Sequence, residues 1–445
     1  MSAQELKFVS TKQEQIAILA GNNPDMAFTS LHHHIDYTWL FRAYQLTRKD
    51  GAVGVDNQTA AEYERQLETN LRDLLARIKS GSYQAPAIRR VYIPKGDGKY
   101  RPLGIPTFED KIVQRAVVML LEPIYEQDFF DCSFGFRRQH SAHQALQCLR
   151  NHIMDEKGRW VLDVDIQKYF DTIDHRHLRS FLAKRVVDGV IRKLIDKWLK
   201  AGVLEDDTIR YLNLGTPQGG VISPLLANVY LHYVLDEWFD QEVKPRMQGH
   251  CSLTRFADDF VMVFEHYDDC YRVQRVMNKR FKRYELELHP EKTRRIDFRF
   301  RYRKENLRRG KDVNFDFLGF THYWGRSRQG IFVVRQKTAK VRLARTLKGF
   351  NEFCRKCRHL PLSVQQRMLN RKLRGHYAYF GITGNSKSLR NIHYKVERLW
   401  HKWLGRRSRK SYIPWQRFTL LLKRLPLEKP RIYHQYYQGH QLAKQ

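Results

Sequence analysis

The sequence predicts an α+β protein that ends in a helical, strongly basic quarter. Apolar residues recur at helical spacing of three to four, as in residues 62–78. Other stretches are short and strand-like, among them 160–166, where apolar residues alternate, and the apolar hairpin 255–264. From residue 337 onward the pattern turns helical and cationic. We therefore expect a mixed region, a domain boundary near residue 330, and a helical region after it.

The positive charge is concentrated at the C-terminal end. Residues 337–445 contain 27 Lys and Arg against 3 Glu and no Asp, a net charge of +24 out of +33 for the whole chain. Such a surplus repels itself unless a polyanion neutralises it, and aromatic residues are interleaved with it at 374–381 and 398–410. This favours nucleic acid as a partner; a solvated basic face and an anionic membrane surface are the alternatives.

The cysteines and the N-terminus indicate a reduced, cytoplasmic protein. Six cysteines show no framework pattern, and Cys354 and Cys357 form a C-x-x-C without a second pair, which is weak support for zinc and favours idle thiols. The N-terminus has no basic segment followed by an apolar core, and no apolar run reaches about 18 residues. We expect no membrane partner.

The elements of the first half follow from local patterns. Residues 1–80 read as mostly helical, and residues 85–106 as two extended segments around a turn at Gly96. A helix is expected from about Phe108 to Gln127. Residues 160–166 alternate in the period of a strand with one packed face, with Asp165 on the other face.

The second half is interpreted in the same way. Helices continue to about Lys200, and a Gly-punctuated turn then leads into a long apolar helix within residues 216–239. The hairpin 255–264 follows, then a basic helix and the strand-like segment 313–324.

Three carboxylates stand out in this arrangement. Asp258 and Asp259 lie side by side in the hairpin, and Asp165 ends a strand 93 residues before Asp258. Neighbouring residues of a strand point to opposite faces, so only a tight turn lets the pair approach one point. If the two strands are adjacent, the three carboxylates converge, and cations must separate them. Hard oxygen ligands suit two Mg²⁺ ions that promote phosphoryl transfer; an ordinary solvated turn is the alternative.

Several residues are candidates for binding a nucleotide. Lys95 and Arg101 flank a Gly-rich turn and could grip a triphosphate, although a plain surface hairpin has the same pattern. Phe170, five residues after Asp165, would lie beside the sugar and exclude a 2′-hydroxyl; a core aromatic has the same spacing. Gln218, followed by two glycines, could approach a template–nucleotide pair closely.

Taken in order, these segments resemble the reverse transcriptase encoded by mobile group II introns. The resemblance covers roughly residues 30–325, and the basic helical remainder is similar to the thumb, or maturase, domain of that family. The matching stretches are YIPKGDGKYRPLGIPTFEDKIVQRAV, SFGFRRQHSAHQAL, DVDIQKYFDTIDH, GTPQGGVISPLLANVYLHYVLD, TRFADDFVMV, LELHPEKTR and FDFLGF.

The resemblance implies a right-hand polymerase. Its fingers and palm would contain an antiparallel sheet flanked by helices, and an α-helical thumb would follow. The implied divisions are an N-terminal helical extension at 1–80, fingers and palm at 81–330, the thumb or maturase domain at 337–405, and a basic nucleic-acid-binding segment at 406–445.

The resemblance also assigns roles to individual residues. Asp165, Asp258 and Asp259 would be the catalytic carboxylates that hold two Mg²⁺ ions, and dNTPs would be the substrates. Lys95 and Arg101 would bind the triphosphate. Phe170 would be the sugar gate, and Gln218 would be part of the nucleotide pocket. The nucleic-acid contacts would be Lys292, which also braces the palm, the Gly319 turn at the primer end, Arg374, Arg406, Arg407, Arg409 and Lys410.

The function implied is that of an RNA-directed DNA polymerase. It would bind its intron RNA as a ribonucleoprotein, assist splicing, and copy the intron into DNA from a primer strand at a target DNA during retrohoming. No protein partner is implied. Two alternatives stay open: an RNA-binding splicing cofactor whose polymerisation is vestigial, and a domesticated enzyme of defence or repair.

Two departures from the family pattern affect this interpretation. The acidic motif commonly begins with Tyr, and Phe256 stands there; the metal ligands are unaffected by the loss of that hydroxyl. Many members also end in a cysteine-rich DNA endonuclease domain. About forty residues follow the expected thumb here, without a cysteine, so we expect this domain to be absent and priming to use an existing end.

Overall fold

The computed structural model describes most of the chain. The described ranges are 3–94, 100–154, 157–205, 208–210, 214–215, 219–299, 313–327, 329–408 and 412–435, with side chains described from residue 9 onward. The fold divides into two compact units, one made of Met1–Ala145 with Leu162–Arg295 and the other of Leu146–Val161 with Ile296–Gln445. The assignment of residues 1–80, 81–330, 337–405 and 406–445 to separate domains remains a prediction.

The structure contains antiparallel strand pairs, helices around them and a helical C-terminal part, which confirms the predicted α+β class. The helices are α1 (Ala3–Asn22), α2 (Tyr37–Leu46), α3 (Ala60–Glu64), α4 (Leu67–Ser80), α5 (Phe108–Asp128), α6 (Ala142–Met154), α7 (Tyr169–Thr172), α8 (His175–Ala183), α9 (Gly189–Lys200), α10 (Ser223–Leu231), α11 (Tyr267–Arg283), α12 (Lys340–Cys357), α13 (Leu362–Phe380), α14 (Ser386–Leu404) and α15 (Trp415–Arg424). The strands are β1 (Ile88–Pro94), β2 (Tyr100–Ile105), β3 (Trp160–Asp165), β4 (Val203–Glu205), β5 (Thr208–Arg210), β6 (Cys251–Phe256), β7 (Asp259–Phe264), β8 (Arg294–Asp297), β9 (Phe315–Phe317), β10 (Phe320–Arg326) and β11 (Phe332–Thr338).

The helical core of the first unit is built around α5, on which α1 and α2 pack. Thr107 begins this helix as its N-cap, accepting a hydrogen bond from the backbone nitrogen of Asp110 at 3.2 Å. Its interior face is apolar and fully buried; the most enclosed residues are Ile112, Val113, Ala116, Val117, Leu120, Leu121 and Ile124. The helix predicted from residue 108 to residue 127 is therefore confirmed.

Two sheets belong to the chemistry-bearing part of the chain. One has the strand order β2-β1-β4-β5, with β1 and β2 antiparallel and β1 and β4 parallel, which confirms the two extended segments predicted between residues 85 and 106. The other has the order β6-β7-β3-β8. Strands β6 and β7 form an antiparallel hairpin in which Phe256 pairs with Asp259, so its loop consists of Ala257 and Asp258 alone.

The long helix expected within residues 216–239 begins at Ser223, with a proline in its first turn. After Leu231 the helix widens into π-helical turns at His232–Asp236 and again at Phe239–Val243. Such turns occur often at functional sites, because the extra residue re-aims side chains that follow it. Here the first of them places Asp236 in a fully buried position.

The second unit contains a sheet of order β11-β10-β9 and the helices α12 to α15. Leu318 and Gly319, with φ of +49° and +81°, form the two-residue turn between β9 and β10. The helices enclose an apolar core centred on Leu373, Ile392, Trp400 and Phe418, each 0 % exposed. Both the strand-like segment 313–324 and the helical character after residue 337 are confirmed.

All six cysteines lie in the described residues and are free thiols. Cys354 is buried, and burial raises its pKa to about 12. Among the described residues, no helix is at once long enough and apolar enough to cross a bilayer.

Candidate active site

The tight turn that the acidic pair requires is present. Ala257 adopts a left-handed conformation with φ of +59°, which lets a two-residue loop connect β6 to β7. Asp258 lies in this loop and is half-buried, whereas Asp259 is the first residue of β7 and is exposed. Burial raises the pKa of Asp258, and the nearby Asp165 carboxylate raises it further, while the cations of Arg101 and Arg255 act in the opposite direction.

Asp165 ends β3, the strand next to β7 in the sheet. Its backbone oxygen accepts a hydrogen bond from His289 at 2.8 Å, and its Oδ2 lies 2.9 Å from Nζ of Lys292. Lys292 therefore forms an ion pair with a predicted catalytic carboxylate, and its role in bracing the palm remains a prediction. The ammonium group of Lys292 partly neutralises the Asp165 carboxylate, and both side chains are partly exposed to solvent.

Asp165 ends β3 and the Asp258 loop leads into the neighbouring strand β7, so the Asp165 carboxylate lies close enough to raise the pKa of Asp258. Across the described ranges, however, no set of three or more His, Cys, Asp and Glu side chains is gathered closely enough to form a metal cluster. Carboxylates without cations between them repel one another, and Lys292 provides part of the missing charge. The roles of Asp165, Asp258 and Asp259 as joint metal ligands therefore remain a prediction.

The donor chemistry nevertheless fits Mg²⁺. Carboxylate oxygens are the ligands that this hard cation prefers, and here they lie at the ends of two adjacent inner strands. The remaining positions on the ion would be left to water and substrate phosphates. Asp165 is already paired with a cation, and Asp258 is half-buried beside another carboxylate, so a bound divalent ion would relieve the repulsion at both.

The predicted nucleotide-binding residues fall into two groups. Arg101 is on β2 opposite Ile93 and is exposed. Its positive charge lowers the pKa of Asp258, so its guanidinium lies near the acidic turn. Phe170, on α7, is 7 % exposed and packs edge-to-face on Tyr169 at 5.5 Å. Lys95 and Gln218 lie outside the described residues. The nucleotide-binding roles of all four remain predictions.

A buried arginine that is not among the predicted site residues holds the turn in place. Arg255, the last but one residue of β6, is 0 % exposed and forms an ion pair with Asp236. Its Nε lies 2.8 Å from Oδ1 of Asp236, and its Nη1 donates to the backbone oxygen of Ala257 at 3.0 Å. Burial lowers the pKa of Arg255, but the Asp236 carboxylate, with smaller effects from Cys132 and Tyr169, raises it overall, so the guanidinium stays charged. Arg255 therefore anchors the loop that carries Asp258.

The same arginine ties the turn to two further segments. Its Nη1 donates to Oδ1 of Asn228 at 2.9 Å, and Nδ2 of Asn228 donates to the backbone oxygen of Gly135 at 2.7 Å. Gly135 packs so tightly against the turn that an added Cβ would lie 2.2 Å from the backbone nitrogen of Ala257. The sequence signal for this network is an arginine within an apolar strand, which requires a buried acidic partner.

A second buried network supports the segment that follows Gln218. The Asp110 carboxylate accepts hydrogen bonds from Tyr83 at 2.5 Å and Trp198 at 2.6 Å, and from Nε2 of Gln114 at 2.9 Å. The Oε1 of Gln114 in turn accepts from the backbone nitrogen of Val221 at 2.7 Å. Burial raises the pKa of Asp110 to about 6, against the effect of these hydrogen bonds.

Gly219, the first residue after Gln218, packs closely against the backbone of β2. Gly219 has a φ of +118°, and a Cβ there would lie 2.3 Å from the backbone oxygen of Gly104 on β2. No side chain fits between the two backbones. The predicted approach of this segment to a template–nucleotide pair remains a prediction.

The predicted nucleic-acid contacts of the second unit occupy different surroundings. Gly319 is in the β9–β10 turn, and Arg374 and Arg406 are exposed. Arg407 is half-buried and donates to the backbone oxygens of Arg358 and Leu360, the latter at 3.1 Å, beyond the end of α12. These hydrogen bonds give Arg407 a structural role without any phosphate contact. Arg409 and Lys410 lie outside the described residues, and binding by this whole set remains a prediction.

Comparison with known families identifies the class. The family described as "Reverse transcriptase (RNA-dependent DNA polymerase)" matches residues 93–322, which is just over half of the chain. The matched range includes the acidic turn, the β3 carboxylate and the cationic β2 strand. The class is thus that of polymerases that build DNA on an RNA template.

Individual relatives narrow this class. The chain is 36% identical over 287 residues to "Protein YkfC" of Escherichia coli, which covers 57% of this chain and 75% of that protein. It is 40% identical over 224 residues to "Group II intron-encoded protein LtrA" of Lactococcus lactis, covering 49% of this chain and 37% of LtrA. It is 30% identical over 175 residues to "Nuclear intron maturase 2, mitochondrial" of Arabidopsis thaliana, covering 31% of this chain and 24% of that protein. The chain belongs to the reverse transcriptase family, in its group II intron branch of reverse transcriptases and maturases.

Proposed function

We propose that the acidic turn and the end of β3 form the centre at which this chain extends a DNA primer along an RNA template by two-metal phosphoryl transfer. One observation carries the proposal: Asp165 ends β3, the Asp258 loop leads into the adjacent β7, and both Asp165 and Arg101 lie close enough to Asp258 to shift its pKa. Like charges brought together in this way call for cations, and phosphoryl transfer needs chiefly positioning and charge neutralisation.

The reaction joins the primer to a dNTP. The oxygen of the primer 3′-hydroxyl forms a bond to the α-phosphorus, the bond from that phosphorus to the bridging oxygen of the β-phosphate breaks, and pyrophosphate leaves with its electron pair. The hydroxyl proton is lost to solvent. Two Mg²⁺ ions, held by Asp165, Asp258 and Asp259, would supply activation of the hydroxyl and neutralisation of the departing charge.

The chain's own residues would position the reactants. Arg101, with Lys95, would hold the triphosphate bidentately from β2 and its turn. Phe170 would pack against the sugar and exclude a 2′-hydroxyl, which selects dNTPs over ribonucleotides. Gln218 would line the nucleotide pocket. Gln114 anchors the segment that follows by accepting a hydrogen bond from the backbone nitrogen of Val221. Arg255 keeps the Asp258 loop from shifting by bonding the carbonyl of Ala257.

Primer extension on an RNA template tests the proposal. The double variant Asp258→Ala, Asp259→Ala should lose extension by at least about a thousandfold, because transition-state charge stabilisation is usually the largest single contribution. The matched control, Asp240→Ala with Glu242→Ala, removes the same charge from the surface of the same unit and should retain extension. Full extension by the Asp258 and Asp259 variant would refute the assigned chemistry.

A second part of the proposal concerns RNA. The group II intron relatives and the +24 charge of residues 337–445 support binding of an intron RNA as a ribonucleoprotein, assistance to its splicing, and copying into a DNA target during retrohoming. Splicing of a structured intron RNA by purified protein without dNTPs measures the splicing role separately from polymerisation. If the intron RNA spliced no faster with the protein than without it, the splicing role would be contradicted.

A further inference from the structure

An open cavity of about 750 Å³ lies in the second unit among α12, α14 and the start of α15. Its volume falls within the roughly 300–1,000 Å³ of typical ligand pockets. The cavity is distant in sequence from the acidic turn and belongs wholly to the helical unit. Its surface is largely apolar, with Leu347 and Leu399 among the lining side chains.

The rim of this cavity is cationic. Among its described lining residues are Lys348, Lys395, Arg398 and Lys402, all exposed, and none of the described lining residues is a carboxylate. Arg398 is held in place by Tyr394, whose hydroxyl accepts from its Nη1 at 2.9 Å and whose ring lies 5.6 Å from its Cζ. Four exposed cations around an apolar floor repel one another, so they favour an occupant that carries negative charge.

One wall is an exposed tryptophan. All eight tryptophans lie in the described residues, and seven are buried or half-buried, whereas Trp415 is 45 % exposed. His401 and Phe418 hold its ring at 5.0 and 5.3 Å between centroids, so the indole is fixed in position while it remains in contact with solvent. A rigid, exposed indole beside cations is the arrangement on which an unstacked base packs.

We propose that this cavity is a binding site for one unstacked nucleotide of a single-stranded RNA, with the base on Trp415 and the flanking phosphates on Lys348, Lys395, Arg398 and Lys402. The apolar floor accommodates the base, which an acidic peptide lacks, and the cations match the phosphates on either side of it. The inference rests on the proposed binding of intron RNA and assigns that binding a specific subsite. With this subsite the helical unit would bind single-stranded segments of the RNA at a defined position, in addition to attracting RNA through its general positive charge.

Site-directed crosslinking tests the site. The full chain, with its polymerase site filled by excess RNA–DNA primer–template duplex, is mixed with a 12-nucleotide single-stranded RNA that carries one 5-iodouridine. After irradiation, the crosslinked peptide should contain Trp415. In titrations with the same RNA, Trp415→Ala should weaken binding roughly 5- to 100-fold, the loss of one base–aromatic stack, and Trp415→Phe should restore part of it.

A charge comparison separates the cavity from the general basic surface. Lys395→Ala with Arg398→Ala should lower the salt dependence of binding by about 1.4 in log–log slope, at about 0.7 per phosphate contact on a single strand. Lys423→Ala with Arg424→Ala removes the same charge from exposed positions of α15 that do not line the cavity, and should change the slope much less. Circular dichroism of each variant verifies that the helical unit is folded.

The outcomes are distinct. Crosslinks elsewhere, together with unchanged binding by Trp415→Ala, would overturn the proposal; so would equal effects of the two charge variants, or displacement of the RNA by polyglutamate at equal charge. The Asp258→Ala, Asp259→Ala variant should crosslink as the natural chain does. Loss of primer extension without loss of the crosslink would therefore bear on the acidic turn alone, and the reverse result on this cavity alone.

Discussion

The two units use charge in opposite ways. The first holds charges inside: Arg255 and Asp236 are both fully buried, and Arg185 and Asp128 form another enclosed pair at 2.9 Å. The second displays charge outside: its basic residues greatly outnumber its acidic ones, and the cations around the Trp415 cavity are exposed. A buried ion pair is held in a single geometry and fixes the position of the groups bonded to it. Exposed cations can exchange their counterions for the phosphates of nucleic acid strands of different sequence and conformation. Catalysis is thus assigned to the rigid arrangement and binding to the adaptable one.

Breaking the buried pair should have the largest effect. Arg255→Gln leaves the Asp236 carboxylate buried without its partner, so we expect a loss of about 3–5 kcal/mol in the free energy of unfolding of the first unit. Primer extension per folded molecule should also fall, with a higher Mg²⁺ concentration needed for half-maximal rate, because the Asp258 loop loses its anchor. Denaturant titration and primer extension over a Mg²⁺ series measure the two effects.

Arg185→Gln is the matched control for that experiment, since it also breaks an enclosed ion pair of the first unit. It should lower stability comparably and leave the Mg²⁺ dependence unchanged. If both variants shift the Mg²⁺ dependence equally, Arg255 has no positioning role of its own. Arg255→Met with Asp236→Leu should recover much of the stability but not the activity.

Crowding the turn tests the rigidity of this region directly. In Gly135→Ala the new Cβ would meet the backbone nitrogen of Ala257 at 2.2 Å, so the turn must move. We expect a loss of about 1–3 kcal/mol in stability and a fall in extension of up to about a hundredfold. Gly189→Ala, where a Cβ meets nothing within 4 Å, is the control and should retain both. A fully active Gly135→Ala protein would show that the turn tolerates displacement.

Asp110 in the first unit should contribute one component of the pH dependence of stability. The pKa of Asp110 is about 6 in the folded chain and about 3.9 when unfolded, so the folded state binds more protons between these values. Stability from this group is therefore greatest below pH 4 and is lost as pH rises through 6, by about 1 kcal/mol between pH 5 and pH 7. Asp110→Asn should remove that component. Urea titrations of both proteins at the two pH values should differ accordingly; parallel curves would contradict the assignment.

The smallest effect is expected at the exposed pair of the active site. The side chains of Lys292 and Asp165 are 60 % and 43 % exposed, so Lys292→Ala should change the free energy of unfolding by less than about 1 kcal/mol. The Mg²⁺ concentration for half-maximal extension should fall about twofold, because the ammonium no longer competes for Asp165. Lys279→Ala, on the exposed side of α11, is the control. A large loss of stability would mean that this pair is not solvated.

Local patterns predicted the elements well. The periodicities of residues 108–127 and 255–264, and the glycine in FDFLGF, depend on interactions between near neighbours, and the structure contains that helix and both hairpins. The acidic turn was predictable because two adjacent carboxylates reach one point only in a loop as short as Ala257–Asp258.

Long-range partners were not predictable in this way. Nothing local to Arg255 specifies Asp236, Asn228 and Gly135, which come from an earlier loop and a widened helix. The same holds for Asp110 and Gln114, whose partners are at Trp198 and Val221. Arg407 shows the converse: its place in a basic run predicts a phosphate contact, and only the fold reveals the carbonyls it bonds.

The enclosed pair of Arg255 and Asp236 also restricts how this sequence can drift over generations. Replacing either residue alone strands the opposite charge in an apolar interior, so every one-step mutant is heavily penalised, while a coordinated exchange of both for apolar residues is far less costly to folding. Adaptive paths through this position must therefore cross a fitness valley or change two codons together.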